Sequence, residues 1–187
     1  MSDWVEFSRD LPGIAGLKSF INITLFGSYC PQFEKDLLAR LRDRLIIEEY
    51  KLTKLVEDFP DENFPTEKKN AFDKSIACLE FSDVNILIFT FAGKKNGVVR
   101  ELAHCTSSLK MIDRRWRCVI CEEVKSGKGA IPMLSNEEFK KFSVSRMLKI
   151  QFENEAELQL AIRGTAWKYV NDLSIELYYR MKSLRRA

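Results

Sequence analysis

The chain has 187 residues, of which 45% are apolar and 11% aromatic, a composition that suits one domain with a sizeable core. Its 30 basic and 27 acidic residues leave a net charge of +3, too balanced to predict nucleic-acid binding from electrostatics alone. The longest apolar run, "VNILIFTFAG" from Val84, has about half the length of a membrane helix, and the N-terminus lacks a signal pattern. We therefore expect a cytoplasmic protein without a membrane span, and its five cysteines are expected to be free thiols.

Strands and helices alternate in the first half of the chain. An apolar run that ends near a glycine predicts the first strand within Phe20–Tyr29. The next segment has apolar residues at helical spacing, which are expected to face inward: Phe33, Leu37, Leu38, Leu41 and Leu45. A second strand, "KLTKLVEDFP", ends at Pro60 and is followed by a polar loop. A helix over "TEKKNAFDKSIACLEFSD" is then predicted to turn Phe72, Ile76 and Leu79 or Ala77 inward.

The second half continues the alternation. The run from Val84 is almost unbroken apolar, which is typical of a central parallel strand buried on both faces. A helix over "GVVRELAHCTSSLKM" and a strand over "RWRCVICEEV" follow. The glycine loop "SGKGA" leads to a short helix, "NEEFKKF", a last strand, "RMLKIQF", and a long closing helix.

This order predicts an α/β fold with a parallel sheet and right-handed crossovers. Five strands indicate a flavodoxin-like, doubly wound sheet in the order 2-1-3-4-5, with helices on both faces. We expect residues 1–19 to form an N-terminal arm and residues 20–187 a single domain.

In such sheets a site lies at the carboxyl ends of the strands, near the point where the strand order reverses. Three segments end there: "FGSYCP", "EDFPDEN" and "FAGKKNGVVRE". The candidate binding residues of these segments are Gly27, Ser28, Tyr29, Asp58, Asn96 and Gly97. Glu57 and Asp61 are further candidates from the second segment, and all its acidic residues are equally plausible as solvated loop charges. The motifs GxGxxG and GxxxxGK[ST] are absent, so Rossmann-type dinucleotide binding and P-loop chemistry are not expected.

Glu101 is the candidate catalytic residue. At 100° per residue, the core-facing stripe of its helix contains Val98, Leu102 and Cys105, and Glu101 lies at the edge of that stripe. The pattern places Glu101 in the first helical turn, where free amides and the helix dipole favour an anion. An ionised carboxylate there could act as a nucleophile or stabilise a cation. Position alone favours the alternative, that Glu101 is an ordinary acidic residue at a helix start.

Other candidate sites are weaker. Cys118 and Cys121 form a CxxC on a predicted strand, where the two side chains point to opposite faces, so we expect buried apolar residues and no metal site. His104 lacks the GxSxG context of a hydrolase and is expected to be a packing or surface residue. Asp83 precedes the buried strand and is expected to be a turn residue or a helix terminator, far from the site. No resident cofactor is predicted.

The segment "SIACLEFSDVNILIFTFAGKKNGVVRELAHC" resembles the strand–loop–helix of the nucleoside 2-deoxyribosyltransferase-like proteins. It is also similar to TIR domains, in which an "SD" strand leads to a loop and an "EL" helix. "ITLFGSY" with "FEKDLLARLRDRL" resembles the first strand and helix of either family. The resemblance covers roughly residues 21 to 109. Both families have flavodoxin-like folds and cleave N-glycosidic bonds with a glutamate on this helix.

By this resemblance, Glu101 takes the place of the catalytic glutamate, and the segment from Gly27 to Tyr29 forms the first substrate loop. The chain departs from the deoxyribosyltransferase pattern, which has an acidic residue before the loop glycine and Glu-Leu-Gly after it. Here the loop is "KKNG", and Ala103 follows Glu101 and Leu102. The departures bear on the deoxynucleoside substrate more than on the fold.

Three functions stay open from the sequence. The first is an N-glycosidase or N-ribosyl transferase that acts on a nucleoside or nucleotide through Glu101. The second is a TIR-like module that hydrolyses NAD as a substrate or signals, and the third is a nucleotide-sensing or interaction domain without catalysis. The last helix carries more aromatic surface than one face needs, which indicates either a homodimer or packing of all these side chains within the monomer, two alternatives that the sequence supports equally. The residues concerned are Trp167, Tyr169, Leu173, Leu177, Tyr178 and Tyr179.

Overall fold

The computed structural model describes residues 14–60, 71–108, 117–131 and 147–184, with the side chains of residues 14, 15, 71, 107 and 177–184 outside the description. The helices in these ranges are α1 (Ile14–Lys18), α2 (Gln32–Ile47), α3 (Ala71–Phe81), α4 (Asn96–Ser107) and α5 (Glu155–Leu184). The strands are β1 (Ile23–Phe26), β2 (Thr53–Leu55), β3 (Val84–Phe89), β4 (Cys118–Lys125), β5 (Lys128–Gly129) and β6 (Leu148–Phe152). A 3₁₀ turn, Val56–Asp58, follows β2 directly.

The sheet has the predicted parallel core. Its order is β2-β1-β3-β4, and β6 pairs with β4, all in parallel. With β6 as the fifth parallel strand, the order 2-1-3-4-5 and the flavodoxin-like α/β class are confirmed. All six residues of β3 are buried, and β3 lies in the middle between β1 and β4, as its unbroken apolar sequence predicts.

The sixth strand, β5, is a feature that the sequence prediction missed. It pairs antiparallel with the end of β4 through Val124–Gly129 and Lys125–Lys128. Ser126 and Gly127 join the two strands with φ values of 51° and 74°. Positive φ at both central residues is the geometry of a tight hairpin turn. The predicted glycine loop is therefore a short hairpin.

Alternate residues of the strands divide the core into two layers, because successive strand side chains point to opposite faces. One layer contains residues of α1, α2 and α5, including Leu17, Leu41 and Ile162. The other contains residues of α3 and α4, including Leu79, Val98 and Leu102. Helices thus cover both faces of the sheet, and α3 and α4 contact each other on the second face.

Several local predictions differ from the structure. Phe33 and Phe72 were predicted to face inward, but both are exposed. Each lies in the first turn of its helix. The predicted short helix at residues 136–142 lies outside the described residues. Leu17 of α1 belongs to the core, while the division into residues 1–19 and 20–187 stays a prediction. No helix in the described ranges combines the length and apolar character that crossing a membrane requires.

Candidate functional site

A cavity of about 1010 Å³ opens at the carboxyl ends of β1 and β2 and beside the first turns of α3 and α4. The segment after β1 lines it from Gly27 to Cys30, and Val56 and Glu57 line it after β2. The loop after β3 and α4 contribute Lys94, Asn96, Gly97, Arg100 and Glu101. Parallel strands bring these chain segments together, since their carboxyl ends all lie at one edge of the sheet. The cavity is therefore at the predicted edge.

Glu101 lies in this cavity, but its environment differs from the predicted one. Because α4 begins at Asn96, Glu101 is in the second turn, and the predicted first-turn position is wrong. The free amides at the start of the helix belong to residues before it. Glu101 is 7% exposed, and burial raises the pKa of its carboxyl to about 7. The expectation of a fully ionised carboxylate is also wrong, since desolvation outweighs any stabilisation of the anion.

The carboxyl group of Glu101 is sparsely hydrogen-bonded. The Ser75 hydroxyl on α3 interacts with it and lowers its pKa, an effect smaller than that of burial. The Oε2 atom is buried and has no hydrogen-bond partner among the described residues. A buried polar atom without a partner carries a free-energy cost of about 1–3 kcal/mol. A ligand that fills the cavity could offset this cost.

The segment from Gly27 to Tyr29, predicted as the first substrate loop, lines the cavity, and its members make different contacts. The Ser28 hydroxyl accepts hydrogen bonds from the backbone N–H groups of Cys30 (3.1 Å) and Lys94 (2.9 Å), and it donates to the Cys30 carbonyl (2.6 Å). It therefore joins two loops. A Cβ on Gly27 would lie 2.7 Å from Leu38 Cδ2, so any larger residue there would require the Leu38 side chain on α2 to move.

The carboxylates of Glu57 and Glu101 both influence the hydroxyl group of Tyr29 electrostatically. Burial raises the pKa of its hydroxyl, and the charges of Glu57 and Glu101 raise it further. Tyr29 therefore stays protonated and can donate a hydrogen bond inside the cavity. Glu57 forms an ion pair with Lys35 across the cavity wall at 2.8 Å.

The remaining predicted residues divide into two groups. Asn96 and Gly97 line the cavity at the start of α4, and no atom within 4 Å would meet a Cβ on Gly97. Asp58 is outside the described lining. Its carboxylate accepts hydrogen bonds from Arg42 Nη1 (2.8 Å) and from the Leu55 backbone N–H (2.7 Å), so it stabilises the 3₁₀ turn after β2. Asp61 lies outside the described residues.

Several cavity residues were not predicted from the sequence. Four of them are basic. These cavity residues are Gln32 and Lys35 on α2, Phe72, Lys74 and Ser75 at the start of α3, Lys94 in the loop before α4, and Arg100 on α4. The α3 residues carried a topological signal, because a helix that follows a parallel strand starts at the carboxyl edge of the sheet. The Arg100 guanidinium lies 5.6 Å from the centre of the Phe72 ring, so these two residues form one wall.

The other sequence candidates lie elsewhere. Cys118 and Cys121 are buried on β4, and Cys118 Sγ lies 3.5 Å from Cys105 Sγ behind α4. His104 Nε2 is 3.2 Å from Glu80 on α3, and Asp83 accepts hydrogen bonds from the Asn22 backbone and side chain. Within residues 14–60, 71–108, 117–131 and 147–184, no three His, Cys, Asp or Glu side chains are grouped as metal ligands would be.

Fold and site together define an α/β protein of the flavodoxin-like class with a glutamate-containing cavity at its strand ends. No family model matches the sequence, and no curated protein matches it either. Among solved structures, the chain is similar to the CMP N-glycosidase BcmB of Clostridium botulinum, with a TM-score of 0.46 and 12% identity. The match covers 76% of this chain and 97% of that chain. At this TM-score and sequence identity, the similarity does not indicate the activity of this protein.

Proposed function

We propose that this protein cleaves or transfers the N-glycosidic bond of a nucleoside or nucleotide, with Glu101 as the catalytic carboxylate. The observation that carries the proposal is the state of Glu101: buried in a cavity, with Oε2 unpartnered and a pKa of about 7. Perturbed carboxylates in clefts are characteristic of functional sites. A pKa near neutrality leaves a substantial ionised fraction at pH 7 and above.

The proposed chemistry follows from the charge that forms during bond cleavage. When the bond between sugar and base breaks, positive charge builds up on the anomeric carbon. The ionised carboxylate of Glu101 would stabilise this cation or bond to it. In a water-poor cavity such an interaction is stronger than in solvent. The free-energy cost of the buried, unpartnered anion would decrease as the cation develops, so the interaction favours the transition state over the ground state.

The charges around the cavity favour a phosphorylated substrate. Four basic side chains and two acidic ones line it. One of the basic residues, Lys35, is paired with Glu57, whereas Lys94 and Arg100 have no acidic partner within ion-pair distance among the described residues. Phe72 and Tyr29 add aromatic surface suited to a base or sugar. A nucleotide therefore fits the cavity better than an uncharged nucleoside.

The test is incubation with a panel of nucleosides, their 5′-monophosphates and NAD, analysed for released base by mass spectrometry. We expect base release or base exchange, faster with monophosphates than with nucleosides. Glu101→Gln preserves shape and removes the charge, so it should lower the rate by at least about two orders of magnitude. Free nicotinamide as the sole product would support NAD hydrolysis instead.

Glu57→Gln is the matched control, because Glu57 lines the same cavity but is paired with Lys35. We expect this variant to lose much less activity than Glu101→Gln. If Glu101→Gln turns over substrate normally while Glu57→Gln does not, the catalytic carboxylate is Glu57. Ligand binding without turnover of any panel member by the unaltered protein would contradict the proposed catalysis.

A further inference from the structure

Glu34 is a buried carboxylate that does not line the cavity. It lies in the first turn of α2, and it is 5% exposed. Burial raises the pKa of its carboxyl group. Placing a carboxyl group in the interior costs free energy that an apolar side chain of similar size would not cost. Packing against the sheet therefore does not explain why an acidic group occupies this position.

The partner of Glu34 is the residue that follows β3. The Thr90 hydroxyl donates a hydrogen bond of 2.7 Å to Glu34 Oε2, and the Gly93 backbone N–H donates one of 3.1 Å to Thr90 Oγ1. A hydroxyl has one proton to donate. Because Glu34 takes that proton, the lone pairs of Thr90 Oγ1 are directed to the Gly93 amide. The carboxylate thus determines how Thr90 holds the loop.

The loop between β3 and α4 is packed too closely at Gly93 for any side chain. A Cβ on Gly93 would lie 2.6 Å from Ser28 Cβ and 2.8 Å from Thr90 Oγ1. The next residue is fixed as well, since the Lys94 N–H donates to Ser28 Oγ at 2.9 Å. The loop is therefore held between the first substrate loop on one side and the Glu34–Thr90 pair on the other.

We propose that Glu34 is a positioning residue for the reaction: acting through Thr90, it fixes the loop from which α4 starts, and so places Glu101 against the substrate. The inference rests on the proposed function of Glu101. Two residues after Gly93, α4 begins with Lys95 as its N-cap. A helix moves as a rigid element, so a shift at its start displaces Glu101. A displacement near 1 Å at a reacting group can cost about a hundredfold in rate.

Two substitutions at position 34 separate positioning from stability. Glu34→Gln keeps an oxygen that accepts the Thr90 proton, whereas Glu34→Met keeps the length and removes the acceptor. We expect Glu34→Met to be at least as stable as the unaltered protein, because it removes a buried carboxyl, yet to lose roughly tenfold to a hundredfold in kcat with a smaller change in KM. Glu34→Gln should retain most of the activity.

Thr90→Val removes the hydroxyl that connects Glu34 to the Gly93 amide. It tests the same proposal if Glu34→Met fails to fold. Valine has the shape of threonine without its hydroxyl, and we expect the same loss in kcat. The double variant should lose no more kcat than either single variant, because both substitutions remove the same hydrogen bond between Glu34 and Thr90. Asp36→Asn, at an exposed carboxylate two residues along α2, is the control and should change neither rate nor stability.

Hydrogen exchange at the Gly93 amide provides a measurement that does not depend on activity. In Glu34→Met and Thr90→Val we expect its protection to fall at least about tenfold, with core strand amides unchanged. Unchanged kcat together with unchanged Gly93 protection in both variants would overturn the proposal. If the unaltered protein releases no base from any substrate, the proposed function fails instead. Exchange at Gly93 then still decides whether Glu34 fixes this loop.

Discussion

At Glu101, burial and hydrogen bonding act in opposite directions on the carboxyl group, and burial has the larger effect. Its pKa rises from 4.5 to about 7, although the Ser75 hydroxyl lowers it. The sequence could identify the residue through its neighbourhood on the chain. It could not show the contact with Ser75 or the loss of solvent, because both depend on how α3 packs against α4. The ionised form that the proposed chemistry requires thus becomes abundant only near and above neutral pH.

This raised pKa predicts a pH dependence of stability that is independent of any substrate. Between pH 4.5 and about 7 the unfolded chain ionises at this residue while the folded chain keeps its proton. The stabilising contribution of Glu101 is therefore complete at acid pH and is lost as pH rises through about 7. Glu101→Gln removes this loss, and the upper limit of its advantage at pH 8 is on the order of 3 kcal/mol.

Urea unfolding of both proteins at pH 5, 6, 7 and 8 measures this difference. We expect the stability advantage of Glu101→Gln over the unaltered protein to be smallest at pH 5, to rise up to about pH 7 and to level off by pH 8. Asp36→Asn, at an exposed carboxylate, is the control variant. A difference that stays constant from pH 5 to 8 would mean that Glu101 titrates as an ordinary exposed glutamate.

Two glycines near the start of α4, Gly93 in the loop before it and Gly97 in its first turn, have different steric requirements, although both are close to the cavity. Replacing Gly93 by alanine would bring its Cβ against Ser28 and Thr90, so the two loops would have to move apart. We expect Gly93→Ala to lose about 1–3 kcal/mol of stability, the usual cost of overpacking. Gly97 is inside α4 with open space around it, so Gly97→Ala should gain up to about 1 kcal/mol.

Thermal unfolding of the two variants beside the unaltered protein tests this pair. We expect glycine-to-alanine substitutions four residues apart to change the stability in opposite directions, which a general effect of alanine cannot produce. Equal destabilisation by both substitutions would show that the loop is not packed between Ser28 and Thr90 as the structure has it.

The element order was predictable because strand and helix periodicities differ, and β3 was the clearest case, with six buried residues in sequence. The start of α4 was predicted too late. Helix starts are recognised from side chains that cap free amides, and here the N-cap is Lys95, which makes no side-chain cap hydrogen bond. The hydrogen bond from Thr90 to Glu34 joins residues that are 56 positions apart, so no local sequence pattern could indicate it.

At the scale of the whole molecule, α5 carries apolar side chains that the monomer does not cover. Leu160, Trp167 and Ile175 are 63%, 57% and 46% exposed. Their spacing of seven and eight residues places them on one face of the helix. Tyr169, by contrast, is buried against the sheet, so the predicted aromatic excess is smaller than the sequence indicated. Leu177, Tyr178 and Tyr179 are in the part whose side chains lie outside the description.

We expect this face of α5 to pair with its copy in a homodimer. A stripe of exposed apolar side chains on a long helix is typical of an interaction surface, and burying it removes that area from water. Light scattering at tens of micromolar should give about twice the monomer mass of 21.8 kDa. Trp167→Lys places a charge in the centre of the stripe and should shift the mass to that of the monomer, without loss of helical circular dichroism.

Phe81→Lys is the matched control, since Phe81 is an exposed aromatic residue on α3, on the opposite face of the sheet. It should leave the mass unchanged. If the unaltered protein has the monomer mass, the exposed stripe of α5 is not a self-association surface under these conditions. If both lysine variants dissociate the dimer, the contact is not specific to α5. The prediction holds if Trp167→Lys dissociates the dimer, Phe81→Lys does not, and both variants still bind a nucleotide in the cavity. That result would place the interface on α5, on the face of the sheet opposite to α4 and Glu101.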